Sequence, residues 1–89
     1  MNGNVDRPEQ VMRPRDAFFA PATTVPLRNA AGRIAAELPT PYPPGIPFLV
    51  PGERITEAII EYFDNAVAAG AMTEGARDPS LRNIRVVDE

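Results

Sequence analysis

Pro39-Thr40-Pro41-Tyr42-Pro43-Pro44-Gly45-Ile46-Pro47-Phe48-Leu49-Val50-Pro51-Gly52-Glu53 is the stretch whose reading decides the fold. Six of the chain's 11 prolines fall between Pro39 and Pro51. Proline fixes φ, removes a backbone donor and pushes the residue before it toward extended backbone. The stretch is therefore neither helix nor the middle of a sheet. It reads as a stiff, extended, irregular loop with sharp bends. Pro44-Gly45 has the type II turn pattern, with proline second and a residue tolerant of positive φ third, and Pro51-Gly52 repeats it. Tyr42-Pro43 is a candidate for a cis peptide, because tight proline turns are where cis bonds occur. Phe48-Leu49-Val50, between the bends, is short, apolar and β-prone.

Downstream, Glu53 to Ala69 predicts the one long amphipathic helix. Ile55, Ile59, Phe63, Ala66 and Val67 recur at three- and four-residue steps, with Ile60 and Tyr62 widening the stripe. Thr56 is placed to cap its start, Glu57 suits the positive end of the helix dipole, and Gly70 ends it. Glu57, Glu61 and Asp64 line the outer face and read as solvating charges, since no further ligands for a hard cation lie nearby. Met72 to Arg77 reads as a loop. Asp78-Pro79-Ser80-Leu81 reads as a cap followed by one helical turn. Ile84-Arg85-Val86-Val87 reads as a strand, expected to pair with Arg33–Leu38 or Phe48–Val50.

Upstream, residues 1–7 are expected to be flexible, and 8–89 to form the single domain. Pro8 to Met12 can make one helical turn before Pro14 interrupts. The adjacent Phe18 and Phe19 have an ordinary reading as core anchors. Their sharper reading is an interface anchor, since neighbours in sequence cannot share one face. Thr23-Thr24-Val25 is β-prone. Leu27 to Ala31 predicts a helix of about two turns with Gly32 at its cap, and Arg33 to Leu38 a strand entering the proline segment. The fold class expected is α+β: two or three short strands, one long helix and much irregular chain.

Composition narrows the chemistry. Val, Leu, Ile and Phe make up 21 of 89 residues, just above the roughly 20% below which disorder is the better reading. A fold is expected, with a thin core: a domain of this size buries only about 60% of its unfolded surface. All nine basic residues are arginine, and the chain has no histidine, lysine or cysteine. That removes the commonest general base, the Schiff-base nucleophile and thiolate metal sites, so the chain is not expected to catalyse on its own. Net charge is -3 with scattered arginines, which argues against nucleic-acid binding. No apolar run is long enough for a membrane span, and the polar, acid-bearing N-terminus is neither a signal nor a transit peptide. A cytoplasmic location is expected.

The runs Arg15-x-Ala17-Phe18-Phe19-Ala20, Val25-Pro26-Leu27 and Ala31-Gly32-Arg33-Ile34-x-Ala36-Glu37 occur in that order. They are followed by Pro41-Tyr42-Pro43-Pro44-Gly45-Ile46-Pro47 and Pro51-Gly52-Glu53-x-Ile55. Together these runs resemble the C-terminal domain of the bacterial ornithine/lysine/arginine decarboxylases, and the Asp78–Leu81 and Ile84–Val87 ending does too. The resemblance extends from about Pro8 to Val87. It implies a pyridoxal-phosphate enzyme family of the aspartate-aminotransferase fold type, in which this domain caps the cofactor domain near the active-site entrance and subunit interface. The family's cofactor lysine has no counterpart in these 89 residues, so the cofactor is expected only in a partner or parental catalytic domain.

The resemblance implies a candidate interface or pocket wall made of Phe18, Phe19, Glu37, Pro41, Tyr42, Pro43, Pro44, Gly45, Ile46, Pro47 and Glu53. Glu37 and Glu53 flank the proline segment. They read either as surface or capping carboxylates or as groups facing a cationic substrate. The expected partners are a pyridoxal-phosphate catalytic subunit or a second copy of the chain, since an apolar face around Phe18, Phe19 and Phe48 would favour association. The alternative is a non-enzymatic module that displays Pro41-x-x-Pro44 and Pro44-x-x-Pro47 to a proline-reading partner.

Overall fold

The computed structural model describes residues 8–42 and 49–89, with Tyr42 through its backbone alone. The bend at Pro44-Gly45, the Tyr42-Pro43 peptide, Phe48 and the flexible stretch expected for residues 1–7 lie outside them. The chain is α+β. It runs α1 (Pro14–Phe19), β1 (Ala22–Pro26), a single 3-10 turn (Leu27–Asn29), β2 (Thr40–Tyr42), α2 (Glu57–Ala68), β3 (Met72–Glu74) and β4 (Asn83–Val87). Two antiparallel two-stranded sheets, β1–β4 and β2–β3, make up the regular β structure among the described residues. That is four short strands where two or three were expected.

Helix α2 forms for the expected reasons but starts later. The Thr56 hydroxyl accepts the Ile59 N–H at 3.1 Å, so the helix begins at Glu57 rather than Glu53. The residues ahead of it are taken up by pairing: Glu53 bridges to Gln10 and Arg54 to Ile34. Ile59, Ile60 and Phe63 bury one face against Leu27, Ala30, Leu49, Ile55, Leu81, Ile84 and Val86. Gly70 follows the last turn as predicted, its N–H donating to the Val67 carbonyl.

Strand β4 sits where the sequence places it, but its ladder partner is β1, in register Thr24 to Arg85. The stretch from Arg33 to Leu38 forms no strand. It is a single extended thread gripped from two sides. The Ala35 N–H donates to the Glu53 carbonyl, the Ala36 N–H donates to the Arg85 carbonyl, and the Val87 N–H donates to the Ile34 carbonyl. One bridge on each side, Ile34 to Arg54 and Ala35 to Val86, replaces a ladder. Leu49 and Val50 likewise lie outside any strand.

Three further local expectations are corrected. Pro8 to Met12 is not a helical turn, because the Val11 and Met12 N–H groups both donate to the Gly52 carbonyl across the chain. Pro14 opens α1 instead of interrupting, since a missing N–H costs nothing in the first helical turn. The two turns expected from Leu27 shrink to one, as Pro26 lies before it and Gly32, at φ +83, turns the chain after it.

Toward the C-terminus, Met72–Glu74 is a strand rather than loop. Asp78–Leu81 is a turn closed by Leu81 N–H to the Asp78 carbonyl at 2.9 Å, with no helix. The Asp78 carboxylate does cap it, accepting from the backbone and side chains of both Ser80 and Asn83. Those four bonds, the Ser80 side chain's foremost, hold its pKa below the ordinary 3.8 against the opposing effect of burial.

Candidate functional site

The residues expected to wall a pocket or interface fall into two places, the proline segment with its two anchors and helix α1. Pro39 and Pro41 are fully buried, and Thr40–Tyr42 pairs with Met72–Glu74. Proline is tolerated there because β2 is an edge strand. Gly75 lets the chain turn off β3: it sits at φ +79, and a Cβ there would run into the Leu38 carbonyl.

Glu37 fixes the entrance to the segment. Its carboxylate is 5% exposed, and each oxygen takes one backbone donor, Oε1 the Arg77 N–H and Oε2 the Arg85 N–H, both at 3.0 Å. One side chain thus ties the start of the proline segment to the β3–β4 connection and to β4. Glu37 is not a surface carboxylate; it satisfies two backbone donors that would otherwise be stranded.

The exit is fixed in the same manner. Val50-Pro51-Gly52-Glu53 is the predicted turn, closed by the Glu53 N–H on the Val50 carbonyl at 3.1 Å with Gly52 at φ +94. Glu53 is 1% exposed and its Oε1 accepts the Val50 N–H at 2.8 Å, so it braces its own turn. The turn packs so closely on the N-terminal thread that a Cβ on Gly52 would overlap the Met12 carbonyl. Gly52 N–H donates to the Ala35 carbonyl at 2.8 Å, which puts the exit two residues from Glu37, the anchor of the entrance. Both ends of the proline segment are therefore clamped to one thread, residues 35–37. Pro43, Pro44, Gly45, Ile46 and Pro47 lie outside the described residues. The burial of Pro41 removes Pro41-x-x-Pro44 as a freely displayed ligand for a proline-reading domain.

Helix α1 rests on the same thread. Ala17, fully buried, packs with Ile34, Ala36 and Val87. Phe18 and Phe19 do not enter the core; they are 58% and 76% exposed. The reason is geometric: a six-residue helix has room for one inward position, and Ala17 occupies it.

Sequence reasoning missed the backbone donors of Arg77 and Arg85 and the clamp between residues 10–12 and Gly52. No periodic signal marks a side chain that reaches a backbone N–H 40 or 48 residues away. A groove of about 520 Å³ is lined by Arg28, Ala31, Glu57, Ala58, Ile60, Glu61 and Asp64. The carboxylates of Glu57, Glu61 and Asp64 are on exposed residues, as solvating charges are. Among the described residues no group of three or more His, Cys, Asp or Glu is placed to hold a metal ion. Among the same residues no helix is long and apolar enough to cross a membrane.

Comparison with known proteins gives this arrangement a place. The model of the Orn/Lys/Arg decarboxylase C-terminal domain matches residues 3–76. The arginine decarboxylase of Bacillus subtilis (strain 168) is 48% identical over 82 residues, covering 92% of this chain and 17% of that protein. A lysine decarboxylase of Pseudomonas aeruginosa is 46% identical over 66 residues, covering 66% of this chain and 9% of that one. The structure of the constitutive lysine decarboxylase of Escherichia coli superposes with a TM-score of 0.78 at 27% identity, over 93% of this chain and 14% of that chain. The chain thus spans about a sixth or less of the length of these relatives, in which the domain is one part of a larger polypeptide. The tail-like motif order, the clamped proline segment and the matched domain agree: this chain belongs to the family of Orn/Lys/Arg decarboxylase C-terminal domains.

Proposed function

We propose that this domain caps the pyridoxal-phosphate-bearing domain of a basic amino-acid decarboxylase and acts only together with it. The anchored ends of the proline segment, Pro39–Pro41 and Leu49–Glu53, border the active-site entrance or the subunit interface. The observation that carries the reading is the double clamp. Glu37 and the Glu53 turn fix both ends of residues 39–53 to one buried thread. Proline has few unfolded states to lose, so the anchored ends are ordered at little entropic cost. The edge of a cap needs fixed ends, and a display loop does not. The cofactor and its lysine belong to the catalytic domain, whether in the same polypeptide or another, because these 89 residues contain no lysine. The named activities of the relatives, on arginine and on lysine, point to a cationic amino acid as substrate and to carbon–carbon cleavage as the reaction. The cytoplasm is the proposed compartment.

The test is a chimera in which this chain replaces the matching stretch of the Bacillus subtilis arginine decarboxylase. The chimera is expected to release carbon dioxide from arginine, the enzyme truncated before that stretch to release far less, and the 89-residue chain alone to release none. A chimera no more active than the truncated enzyme refutes the cap reading.

A further inference from the structure

Helix α1 buries its smallest side chain and exposes its largest. Ala17 is fully buried, while Phe18 and Phe19 stand out at 58% and 76% exposure. The two rings meet edge to face with centroids 5.1 Å apart, so they form one apolar knob rather than two scattered residues. Arg13 at the start of α1 and Arg15 and Asp16 within it are exposed too, with Arg13 reaching Asp16 at 3.8 Å. Exposed aromatic rings beside charged residues are the composition of a recognition hot spot. The base is firm, because α1 rests through Ala17 on the thread that clamps the proline segment.

The size of the knob selects its occupant. Two rings on a six-residue helix fall well short of the roughly 800 Å² per partner that a stable free complex buries. A second, untethered copy would not be held by it. A surface already linked to α1 would be, because a short linker raises the effective concentration to the order of millimolar. In the Bacillus subtilis relative the matching stretch lies within a longer chain, so α1 is tethered to the rest of that chain. The matched domain is the C-terminal one of its family, and the Bacillus subtilis relative carries most of its length outside the match.

We propose that Phe18 and Phe19 dock in an apolar recess on the cofactor-bearing domain that precedes this one in the decarboxylases, and so set how the cap sits on it. This inference rests on the cap reading above.

Hydroxyl-radical footprinting tests it on the chimera described above, with the 89-residue chain at micromolar concentration as reference. Oxidation of Phe18 and Phe19 is expected to fall roughly tenfold in the active chimera, in line with the passage of both rings into an interface core. An active chimera whose rings are oxidised as fast as in the free chain overturns the docking and leaves the cap reading standing. An inactive chimera removes both. Protection that instead rises with concentration in the free chain identifies a second copy as the occupant and also overturns the inference.

Discussion

Phe63 and Glu37 are buried almost equally, at 0% and 5% exposed, yet they hold their surroundings by different means. Phe63 sits in the α2 stripe, where many small apolar contacts add without regard to direction. Glu37 makes two directed bonds to backbone N–H groups distant in sequence. The α2 side is a hydrophobic core of ordinary kind. The proline side also buries Pro39, Pro41, Leu49 and Pro51, but at its two ends carboxylates and a tight turn fix the backbone. There directed polar contacts add to packing, because they fix which backbone groups meet, which apolar contacts do not.

Substitution at the two centres should separate these modes. Phe63→Ala is expected to cost about 3–5 kcal/mol and to loosen the whole domain, since the cavity lies in the shared core. Glu37→Gln keeps the volume but turns one acceptor into a donor facing a donor, at an expected cost of about 2–3 kcal/mol. Its signature is local. Hydrogen exchange should accelerate first at the Arg77 and Arg85 amides, while the α2 amides keep their protection. Equal loss of protection in both places would show that the two regions are one cooperative unit and end the distinction.

The same contrast explains what could be read from the sequence. Helix α2, its Thr56 cap and the Gly70 stop were legible, because periodicity and caps are local signals. So was the Pro51-Gly52 turn, where residue type alone demands a positive φ. The family could be read from the order of the proline motifs. The pairing of β4 was not legible. Val25 and Ile84 come together by long-range register, whereas the sequence pointed to Arg33–Leu38 or Phe48–Val50 as the partner. Arg33–Leu38 is in fact a neighbour too, through the single Ala35 to Val86 bridge. The exposure of Phe18 and Phe19 was legible as one of two readings, core anchor or interface anchor, because hydrophobicity predicts burial without saying whether the cover is this domain or another. The anchoring role of Glu37 follows no spacing rule, so nothing local distinguished it, whereas Glu53, which accepts the Val50 N–H three residues back, fits the capping reading.

Asp78 sharpens the comparison at smaller scale, as a carboxylate that organises a turn near the surface. Its folded pKa lies below the ordinary value, so its stabilisation is fully present above about pH 4 and is lost as pH falls through the folded value. Asp78→Ala is therefore expected to lower stability by about 1 kcal/mol at neutral pH, with solvent screening keeping the figure small. The difference between variant and parent should close in acid. Denaturant midpoints at pH 7 and pH 3 check this, and a gap that stays constant with pH would show that the side chain's shape matters rather than its charge.

The smallest effect is expected where the proline side departs from its own rule. Thr73 is buried on β3 opposite Pro41, and its Oγ1 meets no hydrogen-bond partner among the described residues. Elsewhere on this side a buried polar atom finds a backbone group; here a hydroxyl has given up water without return. Thr73→Val keeps the β-branched shape and removes the unsatisfied oxygen, so it should stabilise the domain by about 0.5–1 kcal/mol. A rise in the denaturant midpoint at unchanged slope would confirm it. A fall would mean that the hydroxyl does have a partner, and that the proline side is held by polar contacts at Thr73 as it is at Glu37.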